Sequence, residues 1–203
     1  MSNSTFSYRD ALEELHRYLS RFVPLSRQEF GILLRYIEIR EFDKRVVIIG
    51  KGEVERYLNI VAWGLVRKYL PMRNKEITVQ LATEGHMVHS ELSFHYRIPS
   101  NAVLEAVEPT VLFSISYDSL QQLYEQFPKA ERLGRLLISD LFIKTDDRFF
   151  NQLMQNTRER FLDYVRTHPQ MLQRVPQKYI ASFLNIKPET FSRLKHLVRP
   201  GRR

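Results

Sequence analysis

The feature that most constrains the fold is the stretch of residues 128–154, which no proline interrupts after its first residue. At about 1.5 Å per residue, a single helix over this stretch would be about 40 Å long. Leu133, Leu137 and Leu141 recur at four-residue spacing and give the helix an apolar stripe. The stripe could pack against the rest of the chain or against the same helix of a second subunit. The length of the helix favours the second use, as a dimerisation helix.

The segment before this helix changes its apolar period once. Apolar residues at three- and four-residue spacing predict two short helices joined through Pro24. Between about residues 42 and 118, β-branched and aromatic residues instead form short segments separated by glycine and proline. These segments are RVVIIG, YLNIVAWGLVRKYL, EITVQLAT, NAVLEAVE and TVLFSIS. They predict a compact antiparallel roll or barrel, so the chain as a whole is expected to be α+β.

The charge of the chain is concentrated at one end. Residues 151–203 carry 11 Lys and Arg against 3 Asp and Glu, whereas residues 1–150 carry 20 of each, so the C-terminal part holds the whole net charge of +8. A clustered basic excess is typical of proteins that bind a polyanion such as nucleic acid. The alternative is a solvated basic surface without a partner.

Several protein classes are excluded by what the sequence lacks. The chain has no cysteine, which excludes disulfides, thiolate-bound zinc, iron–sulfur clusters and a cysteine nucleophile. It also contains no GxSxG, Walker glycine loop or HExxH, so we do not expect an enzyme. Neither a signal peptide nor a run of about 18 apolar residues is present. These absences predict a cytoplasmic protein with no membrane partner.

The segment QKYIASFLNIKPETFSRLKHL has the spacing of a helix-turn-helix. Asn185 stands at the turn, where a left-handed backbone conformation is needed, and Pro188 suits the first turn of the second helix. The positions expected to face inward are Ile180, Ala181, Leu184, Ile186, Phe191 and Leu194. The outward positions mix an arginine with hydrogen-bonding side chains, as a DNA-reading helix requires. The alternative is a helical hairpin that only packs.

The order of roll, long helix and helix-turn-helix resembles the Crp/Fnr family of bacterial transcription regulators. The stretch TRERFLDYVRTHPQMLQRVPQKYIASFLNIKPETFSRLKHL is most similar to the Bacteroidetes branch. The resemblance implies a cyclic-nucleotide-binding-like jelly roll in residues 1–127, a dimerisation helix in 128–154 and a helix-turn-helix domain in 155–203. It also implies a homodimer, double-stranded DNA as partner, and RNA polymerase as a further candidate partner.

The residues expected to contact DNA are Lys187, Glu189, Thr190, Ser192, Arg193, His196 and Arg199. Glu189 and Arg193 match the glutamate and arginine with which the family reads bases. Two departures limit the transfer. Pro188 stands where many relatives have a further arginine, and the usual C-terminal wing is expected to be truncated to VRPGRR.

The stretch GHMVHSELSFHYRIPSNAV occupies the place of the family's phosphate-binding cassette. Relatives that bind cyclic AMP have a Gly-Glu-Leu turn, followed by an arginine, a hydroxyl residue and an alanine. The corresponding residues of this chain are Ser90, Glu91, Leu92, Ser100, Asn101 and Ala102. Serine replaces both the glycine and the arginine, so the cyclic phosphate would lose its charged partner. We expect weak or absent cyclic-nucleotide binding, no bound cofactor, and an unidentified small-molecule effector.

Two alternatives stay open for the function, and one for the cassette. The chain could be a cyclic-AMP-responsive regulator, or a ligand- or partner-sensing module that no longer reads DNA. Within the cassette, His86, His89 and His95 could be read as a metal site completed by Glu91. We favour structural or solvent-facing histidines without metal, because a loop and a strand do not bring these side chains to one face.

Overall fold

The computed structural model describes residues 6–196, which form a β-roll with helices on both sides of it. The helices are α1 (Tyr8–Ser20), α2 (Arg27–Leu34), α3 (Glu91–Tyr96), α4 (Tyr117–Gln126), α5 (Pro128–Met154), α6 (Thr157–Thr167), α7 (Met171–Arg174), α8 (Gln177–Phe183) and α9 (Pro188–Lys195). The strands are β1 (Glu38–Phe42), β2 (Val47–Ile49), β3 (Tyr57–Trp63), β4 (Val66–Met72), β5 (Lys75–Ala82), β6 (Met87–Val88), β7 (Val103–Ala106) and β8 (Thr110–Ser116).

The strands form two antiparallel sheets that face each other. One has the order β1-β8-β3-β6 and the other β2-β7-β4-β5. Side chains of both sheets point inward and form a core of small and branched apolar residues. Its buried members are Ile49, Val61, Val66, Ala82, Val88, Leu104 and Leu112. The predicted antiparallel roll and the α+β class are therefore confirmed.

The two helices predicted around Pro24 are also present, and both begin at a serine. Ser7 caps α1 by accepting a hydrogen bond from the backbone N–H of Asp10. Ser26 and Glu29 form a reciprocal capping box at the start of α2. The helices pack with α4 and the first half of α5 over the sheet that contains β3 and β8.

Helix α5 packs its leucine stripe against its own chain. Leu133 is only 4% exposed, and Leu137 and Leu141 pack against the same core, which includes Leu15 of α1. Packing within the chain, the first of the two uses considered for this stripe, is therefore present at Leu133, while Leu137 and Leu141 are half-buried. The subunit contact predicted for the stripe stays a prediction.

The side of α5 opposite the leucine stripe is apolar and exposed, and it carries Ile138, Phe142, Phe149 and Leu153. Ile143, Phe150 and Met154 are also exposed, on an adjacent side of the helix. At about 100° per residue, positions seven apart return to nearly the same face, so Phe142 and Phe149 lie above one another. A second apolar stripe, unlike the predicted one, is therefore left on the surface.

The C-terminal helices pack directly on the roll. Leu65 and Val107, from two loops of the roll, join a buried cluster with Phe161, Met171 and Ile180 of the helices. Residues 128–154 do form one helix, but division of the chain into three domains stays a prediction, because this cluster spans two of them. Within residues 6–196, no helix has the length and hydropathy needed to cross a membrane.

Candidate nucleic-acid interface and effector cassette

Helices α8 and α9 are joined by a tight turn at Asn185. This residue has a φ of 54°, in the left-handed region that asparagine tolerates better than most side chains. The N–H of Ile186 bonds to the carbonyl of Ala181 at 2.8 Å, and the N–H of Asn185 to that of Ser182 at 3.1 Å. These two bonds form a Schellman motif, which ends α8 and sets the direction of α9.

The inner face of the α8–α9 pair is well packed. Ile180, Ala181 and Phe191 are each no more than 1% exposed, and Leu184 and Ile186 are also buried. Phe191 meets Phe161 of α6 edge to face, with ring centroids 5.1 Å apart. This anchoring fixes which side of α9 faces outward.

The outer face of α9 carries the residues predicted to contact DNA. Lys187, Glu189, Ser192, Arg193 and His196 are exposed, and Thr190 is half-buried. The guanidinium of Arg193 lies 3.4 Å from the hydroxyl of Thr190, one turn earlier on the same helix. Arg199, the last of the predicted set, lies outside the described residues, as does the segment predicted to be a shortened wing.

This face has the chemistry of base recognition. An exposed arginine can donate two parallel hydrogen bonds to guanine, and a glutamate can accept from the amino group of cytosine. Glu189 lies in the first turn of α9 and Arg193 one turn later, so both side chains project from one side of the helix. We call the exposed residues Lys187, Glu189, Ser192, Arg193 and His196 the reading face.

The effector cassette begins with a short helix that sequence reasoning did not predict. Ser90 precedes α3, and Glu91 is its first residue. The carboxylate of Glu91 forms an ion pair with the ammonium of Lys68, a residue of β4 that is only 8% exposed. Burial is the largest effect on the pKa of Glu91 and acts to raise it, but the charge and hydrogen bond of Lys68, together with His89 and a backbone hydrogen bond, hold that pKa below its usual value.

The two serines of the cassette contact each other rather than an open space. Ser100 is 2% exposed, and its hydroxyl lies 2.8 Å from that of Ser90 and 2.8 Å from the carbonyl of Ala102. Ala102 is buried, whereas Asn101 and Leu92 are exposed. The position at which cyclic-AMP-binding relatives carry arginine thus holds a neutral, hydrogen-bonded side chain.

Arg97 is the arginine closest in sequence to Ser100, and it is directed elsewhere. Its guanidinium donates to the backbone carbonyl of Glu55 at 3.2 Å and lies 5.1 Å from the ring centre of Tyr117. Its backbone is left-handed, with a φ of 56° at the end of α3. These contacts hold Arg97 between the end of α3 and the start of α4.

The three histidines of the stretch have different environments. His86 is exposed and contacts Thr83, and His95 is exposed on α3. His89 is fully buried, neither ring nitrogen has a hydrogen-bond partner, and burial lowers its pKa to about 4. In the part of the chain that the structure describes, no three His, Asp or Glu side chains are grouped to hold a metal ion.

Sequence reasoning missed the charged residues of β4. Arg67 and Lys68 stand near the end of the apolar segment YLNIVAWGLVRKYL, and both are buried in the structure. Two adjacent cations in a strand pattern are unusual, since buried charges need partners. The pair of adjacent cations in a strand pattern could therefore have predicted buried ion pairs here. It does not identify the acidic residues that form them.

Comparison with known proteins gives the same architecture. Residues 39–127 match the family model of the cyclic nucleotide-binding domain. Among solved structures, the c-di-GMP responsive global regulator CLP of Xanthomonas campestris is 20% identical, with 82% of this chain and 89% of that chain covered at a TM-score of 0.64. FixK2 of Bradyrhizobium japonicum is 17% identical, covering 80% and 84% at a TM-score of 0.66.

The catabolite activator protein of Thermus thermophilus is 21% identical, covering 91% of this chain and 90% of that one at a TM-score of 0.56. A search of curated protein sequences gave no match. At these identities the structural likeness establishes the fold and not the activity. The chain therefore contains a domain of the cyclic nucleotide-binding type and has the fold of Crp/Fnr-like regulators.

Proposed function

We propose that the protein is a homodimeric, non-enzymatic transcription regulator of the Crp/Fnr type that reads DNA through α9. The observation that carries the proposal is the reading face, with Glu189 and Arg193 outward and Phe191 anchored behind them. The basic excess of residues 151–203 would supply the attraction to phosphates. Placement in the Bacteroidetes branch, a cytoplasmic location and contact with RNA polymerase are further parts of this proposal.

We also propose that the effector cassette does not bind a cyclic phosphate. A bound phosphate needs close N–H groups and charged donors. The neutral Ser100 and the pairing of Lys68 with Glu91 leave no free charged donor for such a phosphate, and they therefore support the proposal that it does not bind here. The alternative is a cyclic-nucleotide-responsive regulator, which the family match over residues 39–127 favours.

The test of DNA reading starts from a preferred duplex selected from a random pool with the full-length protein. Replacing Arg193 by alanine should weaken binding to that duplex by about 1 to 3 kcal/mol, or roughly 5- to 150-fold. It should also relax the preference at one base pair and change binding to random DNA little. Fluorescence anisotropy titrations at one fixed salt concentration measure both affinities.

Arg9→Ala is the matched control, because Arg9 on α1 is equally charged, with 87% of its side chain exposed. This variant should bind the selected duplex like the wild type. Equal losses on selected and random DNA for Arg193→Ala would argue for a phosphate contact only. Absence of any preferred duplex for the wild type would favour a sensing module that does not read DNA.

A further inference from the structure

Arg174, the last residue of α7, bridges the C-terminal helices to the roll. Its guanidinium donates to both carboxylate oxygens of Glu84, at 2.8 and 3.0 Å, and to Glu108, with the Nε contact at 3.2 Å. It also donates to the backbone carbonyl of Gly64 at 3.0 Å. All three of its nitrogens are thus engaged, and we call this arrangement the Arg174 clamp.

The acceptors of the clamp come from three different loops at one end of the roll. Gly64 lies between β3 and β4, Glu84 between β5 and β6, and Glu108 between β7 and β8. Gly64 has a φ of +97°, and a Cβ atom there would lie 2.5 Å from the carbonyl oxygen of Pro109. Glu84 in turn accepts from the N–H of Gly64 at 3.0 Å. The loops therefore contact one another directly, in addition to their bonds with Arg174.

The charges of the Arg174 clamp favour the docked position of the C-terminal helices on the roll. Glu84 and Glu108 share one guanidinium, and each is between a quarter and a third exposed. If Arg174 moved away, two neighbouring carboxylates would be left without that charge. Bidentate, charge-assisted bonds of this kind are stronger and more directional than ordinary surface ion pairs.

A second set of contacts joins α8 to β5, the edge strand of its sheet. The hydroxyl of Ser182 accepts from the N–H of Thr78 at 2.9 Å and lies 3.1 Å from the carbonyl of Glu76. Arg148 of α5 donates to the carbonyl of Val79 on the same strand, and to the carbonyl of Phe183 at 2.8 Å. Three backbone groups of this edge strand are thus bonded by side chains of α8 and α5.

The buried Arg67 of β4 makes a further contact with α8. Its guanidinium is 3.7 Å from the ring centre of Tyr179 on α8 and donates to Glu76 at 2.7 Å. The orientation of α8 on the roll is therefore fixed at three points. Because the Schellman turn and Phe191 tie α9 to α8, the reading face is fixed with it.

In this docked arrangement the reading face stays exposed. The contacts that hold α8 therefore do not cover the residues proposed to read DNA. We propose that Arg174 is a positioning residue, which holds α9 in its DNA-competent orientation through bonds within the chain. This inference rests on the proposed function and adds the device that orients the reading face.

The test compares Arg174→Gln with the wild type in two measurements. Affinity for the selected duplex should fall about tenfold or more, while affinity for random DNA should change by less than about twofold. Hydrogen exchange at the Thr78 N–H, measured by NMR, should be faster in the variant, because this amide is bonded to Ser182 only while α8 is docked. Arg17→Gln is the matched control, since Arg17 is an exposed arginine on α1 that pairs only locally with Glu14.

A thermodynamic cycle separates positioning from simple loss of stability. Glu84→Gln should reproduce part of the loss, and the double variant with Arg174→Gln should be hardly worse than Arg174→Gln alone. Arg174→Lys keeps the charge but loses the fork, so it should restore part of the affinity for the selected duplex. If Arg174→Gln is poorly folded by circular dichroism, Glu84→Gln and Arg174→Lys carry the same comparison.

The proposal is overturned if Arg174→Gln folds and keeps wild-type affinity and wild-type Thr78 exchange. It is also overturned if affinity for the selected duplex increases, because the clamp would then restrain an inactive arrangement. Failure of the proposed function has a different signature, namely no preferred duplex for the wild type. Faster Thr78 exchange in Arg174→Gln would then assign the clamp to docking alone and remove its role in DNA reading.

Discussion

The ring of His89 is a buried polar group without a partner, and it links one residue to the stability of the roll. Both ring nitrogens lack hydrogen bonds, while Phe94 and His95 stack edge-on at 5.5 and 5.9 Å. The Glu91 carboxylate favours protonation of this ring, and Lys68 opposes it. Desolvation dominates, so the native protein keeps His89 neutral where an unfolded chain would protonate it.

This difference predicts a specific pH dependence. The unfolded state takes up a proton near pH 6.5, whereas the folded state does so only near the lowered pKa of about 4. The free energy of unfolding should therefore fall as the pH drops from 6.5 to 4, by about 3 kcal/mol from this residue. His89→Leu should remove that part of the slope, as measured by urea unfolding at several pH values.

Leu92→Ala serves as the control, because Leu92 is an exposed residue of the neighbouring helix and has no ionisable group. Its unfolding curve should keep the wild-type slope between pH 6.5 and 4. An unchanged slope in His89→Leu would mean that the ring is hydrated or protonated in the native state.

At the scale of elements, local sequence signals predicted most of the helices and strands. They did not predict contacts between residues that are far apart in the sequence. Proline at 128 and asparagine at 185 mark a helix start and a turn, and both act through their own backbone preferences. The contacts of Lys68 with Glu91 and of Arg174 with Glu84 join residues 23 and 90 positions apart. No local pattern encodes such pairs, because they depend on which loops the packed sheets bring together.

Helix α3 and the second face of α5 illustrate two further limits. A six-residue helix spans fewer than two turns, so its apolar period cannot be distinguished from a strand or loop. For α5 the sequence identified a leucine stripe but not the surface that covers it. The N-terminal helices occupy that stripe, and the surface apolar face lies on the other side.

The closed cassette around α3 leads to a prediction about ligands. Cyclic AMP, cyclic GMP and cyclic di-GMP at about 1 mM should leave the thermal unfolding of the wild type unchanged. A ligand at 100 times its dissociation constant adds about 2.7 kcal/mol, so a dissociation constant below about 10 μM would be detected. Ser100→Arg returns a positive charge to the cassette. If the missing cation is the reason that cyclic nucleotides do not bind, this variant should be stabilised by one of them. A clear shift for the wild type would instead support the nucleotide-responsive alternative.

At the scale of the whole molecule, α5 joins the roll, the C-terminal helices and the proposed partner subunit. One side of it packs under the N-terminal helices, and Arg148 ties its second half to β5 and α8. Its outer side exposes aromatic residues, including Phe142 at 69% and Phe149 at 56%. Exposed apolar patches of this kind mark contact surfaces, and two copies of one helix can cover each other's.

The dimer prediction therefore concerns the outer face of α5 and not the leucine stripe. Phe142→Glu combined with Phe149→Glu should convert a dimer into a monomer at micromolar concentration, because four carboxylates would meet in the interface. Sedimentation velocity measures the mass, and anisotropy with the selected duplex should show a loss of at least tenfold, since one half-site is lost. Met72→Glu, which also replaces an exposed apolar side chain but at the end of β4, should stay dimeric. A double variant that keeps the wild-type dimer mass would mean that the subunit contact lies on a surface other than the outer face of α5.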